Sequence, residues 1–254
     1  MATTAGPTPS DPVTAQRPTT VMDPTATVST ASGVKLTAHN QYKASRLLST
    51  DLPTDPLPLF RSWLAQALNP SPESGLPKVR EPEAMALSTA TASGIPSARV
   101  VLLKEVDSQG FVFFTNYNSR KGLELIANPY AALAFYWRES SRQIRVVGRA
   151  EKVSRAESEA YFATRPRGSQ LGAWASTQSS DIDEDALPEH VAAAEARFEG
   201  KDVPCPDHWG GFRIVPFEVE FWAGQPSRLH DRFRFSRPEA AGPGGEWAVS
   251  RLSP

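Results

Sequence analysis

Arg228, His230, Arg232 and Arg234 recur at every second position of the run Arg228-Leu229-His230-Asp231-Arg232-Phe233-Arg234-Phe235. Read as a strand, this run sends the four to one face and Leu229, Phe233 and Phe235 to the other. A row of guanidinium groups around an imidazole is costly to hold together without an anion to neutralise it. Phosphate suits the task, since its oxygens match the guanidinium fork two at a time. Neighbouring cations also lower the pKa of His230 and keep it neutral, which favours orientation and hydrogen bonding over general-base work.

Three further clusters carry similar chemistry. In Arg99-Val100-Val101-Leu102-Leu103-Lys104, alternation puts Arg99, Val101 and Leu103 on one face and Val100, Leu102 and Lys104 on the other. Alone, this segment reads as a buried strand whose end charges reach solvent. In Phe114-Thr115-Asn116-Tyr117-Asn118-Ser119-Arg120-Lys121-Gly122, a strand ends and Asn118 or Ser119 can cap the helix that follows. Arg120 and Lys121 then occupy the first helical turn, where the dipole disfavours cations unless an anion is bound. Two exposed surface cations are the plainer alternative, and the anion site is preferred here. Tyr161 and Arg165 share a helix face ahead of Pro166, and Ser169 opens the next helix. Hydroxyl, guanidinium and hydroxyl at a helix junction suit a second phosphate monoester, while a helix C-terminus with a dipole-favoured Arg explains the residues equally well. Gln143 reads as an outer-face strand residue and Gln178-Ser179 as loop.

These side chains need a scaffold, and the chain provides material for one. It has 254 residues, a net charge of −1 and one cysteine, Cys205. That balance argues against wholesale binding of nucleic acid or an anionic membrane, and one cysteine excludes an intrachain disulfide and a Cys-based metal cage. Cys205 reads as a small residue in a Pro-flanked loop. No apolar run is long enough to span a bilayer, and a cytoplasmic, reducing compartment is expected. Residues 1–37 are Ala/Thr/Pro/Ser-rich without hydrophobic period and are expected to form a disordered tail, leaving a 38–254 domain. Asp55-Pro56 starts a helix carrying Leu59, Phe60, Trp63, Leu64 and Leu68. Strand patterns follow over 84–91, 97–105, 111–116, 131–137 and 143–153, then helices over 155–164, 169–176 and 184–198. Strands return over 211–222, with a break at Pro216, and over 228–237 and 247–252. Many short antiparallel strands with a few helices indicate an α+β domain built on a β-barrel.

From about Tyr42 to Pro254 these motifs together resemble the pyridoxamine 5′-phosphate oxidase family of flavoproteins. The resemblance implies a split β-barrel binding flavin mononucleotide (FMN) in a homodimer whose sites combine residues of both chains. It implies that the strand Arg99, Val100, Val101, Leu102, Leu103 and Lys104 runs along the flavin, with Arg99 on its phosphate. Phe114, Thr115, Arg120, Lys121, Gln143, Gln178, Ser179, Trp222 and Arg232 would be the other flavin contacts. Lys104, Tyr161, Arg165 and Ser169 would grip the substrate phosphate, with Arg228 and His230 over the substrate pyridine as the catalytic pair. Two departures stand out: the family often has tyrosine at the position of Phe114, and its Arg-Arg-x-Tyr lid is here His39-Asn40-Gln41-Tyr42, keeping only Tyr42.

The activity implied is oxidation of pyridoxamine 5′-phosphate and pyridoxine 5′-phosphate to pyridoxal 5′-phosphate with O2, releasing hydrogen peroxide. The alternatives are a split-barrel flavin oxidoreductase with another substrate, and a non-catalytic carrier of flavin or pyridoxal 5′-phosphate. Lys104, Tyr161, Arg165, Ser169, Arg228 and His230 occurring together speak against the first, while the altered lid keeps the second open.

Overall fold

Alternating apolar residues and well-placed turn residues lay down nine antiparallel strands among the described residues, and one long strand organises them. A computed structural model describes Met1 and residues 41–254; the expectations for the 1–37 tail and for His39-Asn40 lie outside the described residues. The strands are β1 (Ala84–Ala90), β2 (Pro96–Leu102), β3 (Glu105–Val106), β4 (Phe111–Asn116), β5 (Tyr130–Trp137), β6 (Arg142–Lys152), β7 (Trp209–Ala223), β8 (Asp231–Ser236) and β9 (Ala248–Arg251). The helices are α1 (Pro56–Leu68), α2 (Arg120–Ala127), α3 (Arg155–Ala163), α4 (Arg167–Ala175) and α5 (Ala186–Arg197).

The sheet runs β2-β1-β5-β6-β7-β4-β3, with β8 added to β7 and β9 to β8. Its two ends are consecutive in the chain. The expected strand over 97–105 therefore divides: Leu103 N–H donates to Glu83 O beside β1, and Lys104 N–H donates to Val112 O on β4. The sheet thus curls back on itself, giving the antiparallel split-barrel architecture expected. Strand β7 pairs with β6 along its length, with β4 over its first part and with β8 over its second. The expected break at Pro216 is instead a bulge within a continuous strand, the register to β6 shifting between Val147 and Gly148. A bulge admits proline because no ladder N–H is required there.

The core is aromatic. Phe60 of α1 packs edge-on against Phe111 at 4.8 Å and Phe135 at 5.1 Å, and all three are fully buried. Burying three such rings contributes on the order of several kcal/mol, about 2 each. Asp55 caps α1 as expected, its carboxylate accepting from Leu57 N–H at 2.8 Å. A second buried group, Phe162, Leu171, Phe198 and Trp209, seats α3, α4 and α5 against the start of β7. No helix among the described residues is long and apolar enough to cross a membrane.

Candidate active site

Two groups of side chains emerge, on different surfaces. The first lines a cleft of about 840 Å³ between β2, the end of β4, the start of α2 and the α3–α4 junction. It collects Arg99, Val100, Val101, Leu102, Lys104, Phe114, Thr115, Lys121, Tyr161, Arg165, Ser169 and Gln178, twelve of the residues expected at the site. Leu103 alternates inward and is buried.

The β4–α2 wall is built by a cap. Ser119 Oγ accepts from Gly122 N–H at 3.3 Å, settling the choice between Asn118 and Ser119. Gly122 is needed because a Cβ there would collide with the carbonyl of Tyr117. The helix start turns Lys121 Nζ toward Thr115 Oγ1 (3.3 Å), Ser119 Oγ (3.4 Å) and Gln178 Oε1 (3.1 Å). Burial lowers the Lys121 pKa and nearby Arg99 lowers it further. A cation pushed this way by its surroundings is one that a bound anion would stabilise.

Arg99 is held from behind. It donates to Leu87 O, Thr89 Oγ1 and Ser97 Oγ at 3.1, 2.6 and 2.5 Å, and it meets Glu124 at 3.4 Å. Burial works to raise the Glu124 pKa, but bonds from Ser97, Thr89 and Arg120 overcome it and bring the carboxyl down to about 2. Arg120 pairs with the same carboxylate at 2.9 Å and does not line the cleft. Glu124 is thus a site-building residue that the sequence reading missed; its spacing four after Arg120 was the available signal.

The opposite wall is aromatic and cationic. Phe114 stacks on Tyr161 at 4.0 Å and 13°, and Trp209 lies at 5.5 Å from Phe114. Arg165 sits 4.7 Å above the Trp209 ring, its pKa lowered by burial, and its Nη1 is buried with no hydrogen-bond partner among the described residues. An orphaned guanidinium nitrogen beside Tyr161 and Ser169 is the donor set that a phosphate would complete. Trp209 was also missed from sequence, where it reads only as the start of a strand.

The second group lies across the outer face of the sheet. Directly opposed in register are Tyr136 and Gln143 on β5 and β6, Gln143 and Trp222 on β6 and β7, and Trp222 and Arg232 on β7 and β8. Ile144 and Val146, pointing the other way, are fully buried, so Gln143 does occupy the outer face. Arg232 Nε pairs with buried Glu220 at 2.7 Å, and Arg145 shares that carboxylate at 2.8 Å. Tyr42 packs edge-on against Trp222 at 5.1 Å and His230 at 5.4 Å. Gly224 permits this, since a Cβ there would lie 2.6 Å from Tyr42 Cβ.

The expected common strand face for Arg228, His230, Arg232 and Arg234 holds only for the last two. Strand β8 starts at Asp231, because Pro226 opens a turn in which Ser227 and Arg228 take left-handed backbone angles of 57° and 63°. Leu229 consequently points outward and is 70% exposed rather than joining Phe233 and Phe235 in the core. The turn brings His230 back beneath Gln225, whose backbone N–H donates to His230 Nδ1 at 3.0 Å. That acceptor role requires an unprotonated Nδ1. Burial first, then Arg228 and Arg232, lower the His230 pKa, in line with a neutral imidazole. Ser179 takes a left-handed conformation (φ 71°) next to Gln178 and lines no part of the cleft. Gln143, Trp222, Arg228, His230 and Arg232 also lie outside the cleft lining.

Comparison with known proteins agrees with this architecture. Residues 76–198 match the model of the family described as pyridoxamine 5′-phosphate oxidase, and residues 209–254 match the pyridoxine 5′-phosphate oxidase C-terminal dimerisation region. Pyridoxine/pyridoxamine 5′-phosphate oxidase of Burkholderia ambifaria is 51% identical over 213 residues, covering 84% of this chain and 95% of that protein. The protein of the same name from Thermosynechococcus vestitus is 51% identical over 214 residues, with the same coverage. Among solved structures, PhzG from Burkholderia lata, in complex with tetrahydrophenazine-1-carboxylic acid, superposes with a TM-score of 0.73 at 35% identity, over 83% of this chain and 99% of that one. A pyridoxamine 5′-phosphate oxidase-related, FMN-binding protein of Nostoc punctiforme shares the fold, with a TM-score of 0.58 at 17% identity over 77% of this chain and 97% of that one.

Proposed function

The chain belongs to the pyridoxamine 5′-phosphate oxidase family, and from that premise we propose that it oxidises pyridoxamine 5′-phosphate and pyridoxine 5′-phosphate to pyridoxal 5′-phosphate with FMN as cofactor. The observation that carries this reading is the single cleft in which two separate oxyanion-binding sets meet, Arg99, Lys121, Thr115 and Gln178 on one wall and Tyr161, Arg165 and Ser169 on the other, with Lys104 alongside. One set suits the FMN phosphate and the other the substrate phosphate.

The donor set fits a flavin phosphate: a lysine whose pKa is lowered by burial and then by Arg99, hydroxyls, and an arginine braced by a buried carboxylate. When bound, FMN supplies the two-electron chemistry between the substrate C4′ carbon and O2. The overall balance is alcohol plus O2 to aldehyde plus hydrogen peroxide, or amine plus O2 and water to aldehyde, ammonia and peroxide. The protein's part is positioning. Lys104, Tyr161, Arg165 and Ser169 fix the substrate at its phosphate, and Arg228 and neutral His230 orient the pyridine by hydrogen bonds to its substituents. No side chain serves as covalent nucleophile.

Arg228 and His230 stand on the turn leading into β8, outside the cleft lining, so with these roles the site would draw on more than one chain. In a homodimer formed through the C-terminal region, the sheet-face row of one protomer would close the cleft of its partner.

The test is aerobic incubation of the FMN-supplemented protein with pyridoxine 5′-phosphate, following pyridoxal 5′-phosphate by absorbance and peroxide by a coupled assay. Catalytic production of both is expected. Bound flavin with no product from either phosphorylated vitamer would overturn the assignment and direct attention to unphosphorylated carboxylic acids such as the PhzG ligand, or to a carrier role.

A further inference from the structure

Arg142 opens β6, between Trp137 of β5 and Ala223 of β7, and alternates to the opposite face from Gln143. Its side chain is buried, 8% exposed, and lies 4.3 Å over the ring of Trp63. Nη1 donates to Gln66 Oε1 at 2.7 Å, while Nε is buried with no partner among the described residues. Most other arginines with little exposure are answered by acid or carbonyl: Arg99 by Glu124, Arg213 by Asp107, and Arg237 by the carbonyls of Pro216 and Pro243. Arg142 has no carboxylate near it, and burial alone lowers its pKa to about 10. A guanidinium stays charged in proteins, so a positive charge is held here without a counter-charge.

Arg142 also lines a cleft of about 480 Å³, bounded by Ser45, by Ser62, Gln66 and Asn69 of α1, and by Ser71 and Ser74 of the turn that follows. No acidic residue lines it. The combination matches the Arg165 wall: a buried guanidinium nitrogen without a partner in a cleft rich in hydroxyls. We propose that the Arg142 cleft is a separate binding site for a tetrahedral oxyanion, either free phosphate or a small phosphate monoester. The geometry favours that class over a carboxylate. Donors stand on three segments of chain around the cleft, and four tetrahedrally directed oxygens can meet them where two coplanar ones cannot. The volume leaves room for a short ester group beyond the phosphate. This site does not depend on the proposed oxidase reaction.

The experiment uses FMN-loaded, full-length protein and equilibrium dialysis with radiolabelled inorganic phosphate. Gln66→Glu puts a carboxylate where the amide oxygen now meets Arg142, filling the charge gap from within and leaving the Arg165 wall untouched. Wild type is expected to bind one more phosphate per chain than Gln66→Glu. Competition by glycerol 3-phosphate at that extra site would assign it to monoesters, and lack of competition to the free ion. Equal stoichiometry and affinity in the two proteins would overturn the proposal. If Gln66→Glu folds poorly, the Nε–H resonance of Arg142, identified by its loss in Arg142→Lys, is followed in wild type. It should shift with added phosphate, and a resonance unmoved through saturation of the other sites would equally overturn the proposal.

Discussion

The cleft and the sheet-face row use the same residue types to opposite ends. In the cleft, Lys121 touches only neutral oxygens and Arg165 keeps a buried nitrogen unbonded, while Arg99 is braced by Glu124. On the sheet face, Arg232 and Arg145 both pair with the one buried carboxylate of Glu220. A concave surface with unanswered positive charge can capture an anion by itself. The row of Tyr136, Gln143, Trp222 and Arg232, whose arginine is already paired with Glu220, lies outside the cleft and offers a platform for a ring. The lesson is that arginine count says little about anion binding; the enclosure around each guanidinium and the partners it already holds say more.

The sharpest way to break this contrast is Arg165→Ala in the FMN-loaded protein. Removing charge-assisted bonds to the substrate phosphate is expected to lower kcat/KM by about 100-fold or more, taking roughly 1.5–3 kcal/mol per bond, with flavin affinity nearly unmoved. Steady-state kinetics beside a flavin fluorescence titration separates the two effects. Lys121→Ala should do the converse, weakening flavin retention about 10- to 100-fold on the same energy scale and leaving KM for the vitamer in place. If the two variants exchange phenotypes, the walls have been assigned the wrong way round.

Gly224→Ala probes the sheet face. The added methyl would stand 2.6 Å from Tyr42 Cβ and 2.9 Å from the Trp222 ring. Overpacking of this kind costs about 1–3 kcal/mol, so a Tm lower by several degrees is expected in thermal unfolding. An unchanged Tm would mean that the Tyr42 segment is free to lift away from Trp222. The smallest effect concerns His230. Its pKa is lowered in the folded chain, so the unfolded chain binds the proton more readily, and stability falls as pH drops through the ordinary histidine range, near 6.5. An NMR titration should put its midpoint below that value. A midpoint above it would reveal an acidic partner and a protonated imidazole.

Much of this was legible in the sequence because it rests on local rules. The α1 cap at Asp55, the Ser119 start of α2 and the inward–outward alternation of Arg99 to Leu102 all follow from neighbours within a few residues. The stretch from Arg228 to His230 misled for the same reason. A two-residue period starting at Arg228 takes in residues that the chain spends on a left-handed turn before β8 begins. Tyr136 escaped notice because its place beside Gln143 depends on strand register, which no single segment encodes. Trp209 stacks under Arg165 through a tertiary contact with no local sign, and Glu124 showed only its i,i+4 spacing to Arg120, which says nothing of its bracing Arg99.

The proposed completion of one chain's cleft by Arg228 and His230 of another is open to a complementation test. Arg165→Ala and Arg228→Ala homodimers, each expected to be nearly inactive, should be mixed, dissociated, reassociated and assayed with pyridoxine 5′-phosphate. Random pairing makes roughly half of the dimers mixed, and each mixed dimer would hold one intact site of two, so activity should return to roughly a quarter of wild type. Activity that stays at the level of the two parents would show that both residues act within a single chain and would contradict the account.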